Sequence, residues 1–196
     1  MFTGIITDIG IVETVEHNGK DTRLVISTGY DVLLIKIGAS VACNGTCLTV
    51  MSKKKNLLVF DASYETLKKT AIGTWKKGAR VNLEQAMKMG EEFGGHIVTG
   101  HIDGVGKIIS RKPAGKSADF LISFPAKLKK FIAAKGSVVL NGVSLTVNEV
   151  QGNEFRVTII PHTLKHTVFC DLQPGEAVSI EVDILARYVA RILEVK

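Results

Sequence analysis

Asn44-Gly45-Thr46-Cys47-Leu48-Thr49-Val50 recurs later in the chain as Asn141-Gly142-Val143-Ser144-Leu145-Thr146-Val147. Five of the seven positions are identical, at an offset of 97 residues. The same offset aligns Glu65-Thr66-Leu67-Lys68-Lys69-Thr70 with His162-Thr163-Leu164-Lys165-His166-Thr167. It also aligns Gly78-Ala79-Arg80-Val81-Asn82-Leu83-Glu84 with Gly175-Glu176-Ala177-Val178-Ser179-Ile180-Glu181. Near the front, Thr3-Gly4-Ile5-Ile6 aligns with Thr99-Gly100-His101-Ile102 at an offset of 96. Four matches in one order describe a module written twice. A module of this length suits a small domain with its own core. The chain therefore divides into residues 1–96 and 97–196, and each half is expected to fold alone and bind one ligand.

Within the first module, alternation of apolar and polar residues predicts strands over 2–16, 22–28, 41–51, 57–61 and 81–84. Asn18-Gly19 carries the hairpin signal between the first two. Short helices are expected near 30–35 and over 63–70, the latter capped by Asp61 or Ser63. The second module repeats the order, with strands near 101–111, 117–124, 137–149, 154–160 and 177–183. A helix over 125–133 follows from Pro125 and the spacing of Leu128, Phe131 and Ile132, and another over 162–167 from Pro161. Many short strands between Gly and Asn turns indicate an all-β antiparallel barrel or sandwich, and no βαβ alternation is present. Gly90, Gly94 and Gly95 mark a linker. Beyond Glu181, Asp183 is a candidate N-cap. Ile184, Leu185, Tyr188, Val189, Ile192 and Leu193 then form one wide apolar face at helical spacing, either a lid on the barrel or an oligomer contact.

Composition excludes several classes. No apolar run reaches the ~20 residues a membrane span needs. The start Met1-Phe2-Thr3-Gly4-Ile5-Ile6 has neither part of a secretion signal, so none is expected. Cys43, Cys47 and Cys170 are an odd set without a Cys-x-x-Cys spacing, which argues against a disulfide framework or a zinc site. If Cys43 and Cys47 share one strand they lie roughly 13 Å apart, too far for a disulfide. Reduced thiols point to the cytoplasm. A net charge of +6 invites a nucleic-acid reading. The basic residues come instead as short groups at turns, almost without interleaved aromatics, so a solvated basic surface is read in their place.

The quoted stretches together resemble the riboflavin synthase family. Met1-Phe2-Thr3-Gly4-Ile5-Ile6 is similar to that family's start. Gly38-Ala39-Ser40-Val41 with Asn44 to Val50, and Asn141 to Val147, resemble its two lumazine-binding motifs. Gly94-Gly95-His96-Ile97-Val98-Thr99-Gly100-His101 resembles its inter-module segment. The resemblance covers essentially the whole chain. It implies two similar six-stranded Greek-key barrels in tandem, with short helices and a C-terminal helix near 183–194 that assembles a homotrimer. It further implies a dismutation of two molecules of 6,7-dimethyl-8-ribityllumazine by transfer of a four-carbon unit. That reaction requires neither cofactor nor metal. Lumazine synthase is a candidate partner, and neither nucleic acid nor membrane is expected as one. The antenna-type lumazine and flavin carriers are the alternative.

Two like substrates with unlike fates require two related sites that differ where they react. Cys47 faces Ser144, Ile5 faces His101, Ser63 faces Ile160 and Glu65 faces His162, whereas Thr49 and Thr146 are the same. Candidate catalytic residues are Cys47, His101 and Ser144 from this asymmetry, with Ser40 and Thr146 added from the matched motifs. The resemblance implies substrate contacts in the first copy at Gly4, Ile5, Ile6, Cys47, Leu48, Thr49, Asp61, Ala62, Ser63 and Thr66. In the second copy it implies them at Gly100, His101, Ile102, Lys135, Ser144, Leu145, Thr146, Ile160, Pro161, His162, Thr163 and Leu164. His162-x-x-x-His166 has a zinc-ligand spacing but no evident third ligand, so no metal site is assigned.

Overall fold

A computed structural model describes residues 1–194. The first module closes a six-stranded antiparallel barrel from β1 (Asp8–Asn18), β2 (Asp21–Ser27), β3 (Ser40–Cys43), β4 (Thr46–Lys54), β5 (Leu57–Ala62) and β6 (Arg80–Gln85). Around the barrel the order is β1-β2-β5-β4-β3-β6. The chain leaves β2, skips two places and returns through β3, β4 and β5 to lie beside β2, a Greek key. The second barrel has β7 (Gly104–Ala114), β8 (Ser117–Ser123), β9 (Ser137–Leu140), β10 (Val143–Gln151), β11 (Glu154–Ile159) and β12 (Ala177–Val182). Its order is the same, one module on.

Alternation alone reads five strands in each module; six are present, the number the resemblance implies. The stretch expected as one strand over 41–51 is a hairpin. Asn44 and Gly45 turn the chain with φ of 43° and 80°, and Asn141 and Gly142 repeat the turn with 45° and 84°. Left-handed values at both central residues are the tight hairpin geometry that Asn-Gly favours. Apolar alternation runs straight through the turn and hides it. Cys43 and Cys47 therefore lie on opposite arms, where Cys43 pairs with Thr46 and Cys47 with Ala42. All three cysteines are free thiols.

Three boundaries also differ from expectation. The first strand begins at Asp8, because residues 2–7 leave the barrel and Phe2 pairs with Val98 instead. Likewise the second module's first strand begins at Gly104. The helical segment near 125–133 is a 3-10 turn over Ala126–Phe131, matched by Val32–Leu34 in copy one. Helix α1 (Tyr64–Lys69) is capped by Ser63, whose Oγ accepts from Thr66 N at 3.2 Å. Helix α2 (Pro161–His166) opens on its proline.

Inward residues such as Leu24, Ile26, Val50, Phe60 and Leu83 fill barrel one, and Phe120, Ile122, Val147, Phe155 and Ile180 fill barrel two. Between the barrels a third buried cluster joins Phe2, Ala42, Val98 and Val139. Polar groups link the barrels as well. Asn82 Nδ2 donates to Asn141 O at 2.8 Å, and Asn82 Oδ1 accepts from Val168 N at 2.8 Å. Its repeat partner Ser179 accepts from Ala71 N at 3.1 Å. Helix α3 (Ile184–Glu194) starts at Asp183, whose Oδ1 accepts from Leu185 N at 2.9 Å. No described residue of α3 is buried, so the helix does not lid a barrel core. Among the described residues no helix is long and apolar enough to cross a membrane.

Candidate functional site

On β4, Leu48 and Val50 point into the barrel, so the strand's alternation turns Cys47 and Thr49 to its outer face. Register places Ser40 opposite Thr49 and Ala42 opposite Cys47. The second barrel repeats this face with Ser144 opposite Val139 and Thr146 opposite Ser137. The candidate catalytic residues Ser40 and Cys47 thus share one patch with Thr49, while Ser144 and Thr146 share its repeat.

Each patch is completed by the leading segment of the other module. Ser144 N, in barrel two, donates to Gly4 O at 2.8 Å, and Cys47 N, in barrel one, donates to Gly100 O at 2.9 Å. The approach is close enough that only glycine fits. A Cβ at Gly4 would lie 2.6 Å from Ser144 Cβ, and one at Gly100 would lie 2.5 Å from Cys47 Cβ. Gly4 and Ile5 therefore gather at Ser144, and Ile6 packs on the second barrel's core. Gly100, with exposed His101 and then Ile102 following it, gathers at Cys47. Alignment of the copies pairs each glycine with its own module; the folded chain exchanges them.

Two buried carboxylates hold the exchanged segments. Glu84 accepts from Thr3 N at 2.6 Å, Thr3 Oγ1 at 3.0 Å and Gly4 N at 3.0 Å. Glu181 accepts from Thr99 N and Thr99 Oγ1 at 2.7 Å each and from Gly100 N at 2.9 Å. Burial pushes both carboxyls above the ordinary glutamate range, while these donors pull them back.

His96 meets Ser144 at 2.7 Å between Nδ1 and Oγ. Burial holds its imidazole below the usual histidine range, against an opposing pull from Asp183. Its Nε2 is buried without a hydrogen-bond partner among the described residues. A neutral imidazole on a serine hydroxyl is a pair able to accept or return a proton. Lys135 donates its N–H to Val147 O at 2.7 Å, three residues along β10 from Ser144. Its φ of 66° is left-handed; the equivalent place in copy one is Gly38, at 86°.

Other candidates are arranged differently. Asp61 is held by Arg23 through two bonds of 2.8 and 3.0 Å, which keeps its carboxyl below the usual range. Ala62 is buried, and Ser63 and Thr66 are joined to each other at 3.0 Å. Ile160 and Pro161 are exposed at the start of α2, Thr163 O accepts from Thr167 Oγ1 at 2.7 Å, and Leu164 packs on the core beneath. Leu48 is buried within barrel one and Leu145 packs on the core of barrel two. His162 stacks on His166 at 4.2 Å, and His166 Nδ1 lies 2.8 Å from His162 O. Among the described residues no group of three or more His, Cys, Asp or Glu is arranged to hold a metal ion.

His96, Glu84 and Glu181 escaped the sequence reading as site residues. At the offset of the leading segments, His96 would align ahead of Met1, so comparing the copies cannot single it out. The glutamates were visible as an identical pair closing each module, in line with buried strand residues, but their partners lie 80 or more residues away.

Comparison with known proteins adds to this geometry. The lumazine binding domain family matches residues 3–86 and again 99–183. A riboflavin synthase of Brucella abortus is 47% identical over 99% of this chain and 98% of its own. One of Photobacterium phosphoreum is 46% identical over 98% of this chain and 89% of its own, and one of Bacillus subtilis is 36% identical over 98% and 90%. Among solved structures, LumP complexed with riboflavin superposes with a TM-score of 0.87 at 25% identity, covering 93% of this chain and 99% of LumP. LumP complexed with 6,7-dimethyl-8-(1'-D-ribityl) lumazine gives 0.84 at 24% identity, with the same coverage; at that identity the likeness is one of fold.

Proposed function

This chain belongs to the riboflavin synthase family, and we propose that it is an enzyme converting two molecules of 6,7-dimethyl-8-ribityllumazine to riboflavin and 5-amino-6-ribitylaminouracil. The observation that carries this reading is the doubled site itself. One strand face occurs twice with an identical threonine and an altered neighbour, Cys47 in one copy and Ser144 in the other. Such a pair suits two like rings with unlike fates. One lumazine loses a methyl proton, and the carbanion is delocalised into its ring. A nucleophile adds to the other ring and is expelled again as new carbon–carbon bonds join the two, and the nitrogens that give up the four-carbon unit recover the protons lost from the methyl groups. Holding both rings in register contributes several kcal/mol without a coenzyme. Ser144 with neutral His96 supplies acid–base help at one ring, and Cys47 with His101 stands beside the other.

In this reading each barrel carries one ring at a site completed by the leading segment of the other module, and the rings meet between subunits of a homotrimer in the cytoplasm. The exposed apolar face of α3 supports the assembly, since such a face left in water is an association liability. A closed ring of subunits would repeat one contact between a first and a second barrel.

Incubation of the protein with 6,7-dimethyl-8-ribityllumazine should produce riboflavin, followed by its absorbance. Cys47→Ala, Ser144→Ala and His101→Ala should slow turnover toward the ~10²-fold that one positioned acid–base group contributes, with smaller losses in lumazine affinity. Lumazine binding without any riboflavin would instead identify an antenna-type carrier. Wild-type turnover in all three variants would reject the site assignment.

A further inference from the structure

The glutamates that close each barrel belong to a circuit running through both sites. In barrel one, Cys47, Ala42 and Glu84 lie side by side across β4, β3 and β6. In barrel two, Ser144, Val139 and Glu181 lie side by side across β10, β9 and β12. Glu84 grips the Thr3–Gly4 peptide, whose next carbonyl, Gly4 O, accepts from Ser144 in the other barrel. Glu181 grips Thr99–Gly100, and Gly100 O accepts from Cys47 in the first barrel. The circuit closes around the Phe2, Ala42, Val98 and Val139 cluster, and each of its two arms has its own glutamate and its own carbonyl contact.

We propose that Glu84 and Glu181 are positioning residues acting crosswise: each barrel's glutamate sets the geometry of the other barrel's site. Glu84 touches none of the candidate reacting groups of its own barrel; it acts through Gly4 on Ser144. Glu181 acts through Gly100 on Cys47. Replacing either carboxylate by an amide leaves one oxygen to accept and sets an NH2 group against a backbone N–H donor, that of Gly4 or Gly100 when the amide oxygen keeps the threonine, so the held segment must shift.

The amide cross-peaks of Ser144 and Cys47 in the full-length protein report the two carbonyl contacts separately. In Glu84→Gln the Ser144 amide should move upfield as its bond to Gly4 O lengthens, while Cys47 stays in place. In Glu181→Gln the pattern should reverse. Titration with 6,7-dimethyl-8-ribityllumazine, followed on the same two peaks, should show affinity falling about tenfold at the crossed site only, in line with loss of a charge-assisted hydrogen bond. A purely structural glutamate would instead perturb both peaks together, or its own barrel's peak first, and either result overturns the proposal. Should the amides prevent folding, Glu84→Asp and Glu181→Asp keep the charge and shorten the reach, and the same crossed pattern decides. The titration rests on the function proposed above. If the wild type bound no lumazine that reading would fail, while the ligand-free peak shifts would still decide the crosswise action.

Discussion

Lys135 is a side chain in a conformation that its repeat partner reserves for glycine. A non-glycine residue held there costs of order 1–3 kcal/mol, and copy one avoids that cost with Gly38. The family resemblance implies a ligand contact at Lys135, and we propose that the side chain is kept there for that contact. Lys135→Gly should therefore stabilise the protein by about 0.5–1 kcal/mol, the relief of strain being partly offset by glycine's greater freedom when unfolded. The same variant should bind lumazine more weakly. Denaturant midpoints and a ligand titration would check both halves, and unchanged affinity would show that the side chain does not reach the ligand. The lysine was legible as a candidate only by family resemblance, since its backbone angle leaves no mark in composition or spacing. Cys47 and Ser144 were legible from the repeat alone, because unequal residues in otherwise equal motifs stand out. His96 was not, having no counterpart to differ from.

At the scale of elements, the strands read from alternation were right in order; each leading strand was begun too early, and the missing sixth strand was lost in one place. Asn-Gly was taken as a turn at Asn18 but passed over at Asn44 and Asn141, where apolar residues flank it closely on both sides. Closure of the barrel needs that turn, because β3 pairs with β6 only after the hairpin separates it from β4. Helix α3 was readable from its apolar period, and two ion pairs tie it to the second module. Arg187 pairs with Asp103 at 2.9 Å and Lys130 pairs with Glu194, fixing the two ends. Leu185, Tyr188, Val189, Ile192 and Leu193 remain 56–64% exposed in the single chain. Each would contribute up to about 1.5–3 kcal/mol if fully covered. Removing residues 184–196 should give a monomer by sedimentation that still binds lumazine but makes little riboflavin. A truncated monomer with full turnover would place both rings within one chain.

At the scale of the molecule, the two barrels are related by a rotation that exchanges Gly4 with Gly100 and Cys47 with Ser144, and the linker adds nothing to that symmetry. Each barrel's site takes the leading segment of the other module, so the two modules form a reciprocally exchanged pair on one chain. Gene order then carries no structural information. A circular permutant that begins at Ile97, runs to Lys196 and continues through a copy of the Gly-rich linker into Met1 should fold to the same pair of barrels. It should keep the bonds from Gly4 to Ser144 and from Gly100 to Cys47, visible as unchanged amide shifts at both. Reciprocal exchange of the leading segments would leave this molecule indifferent to which half is translated first.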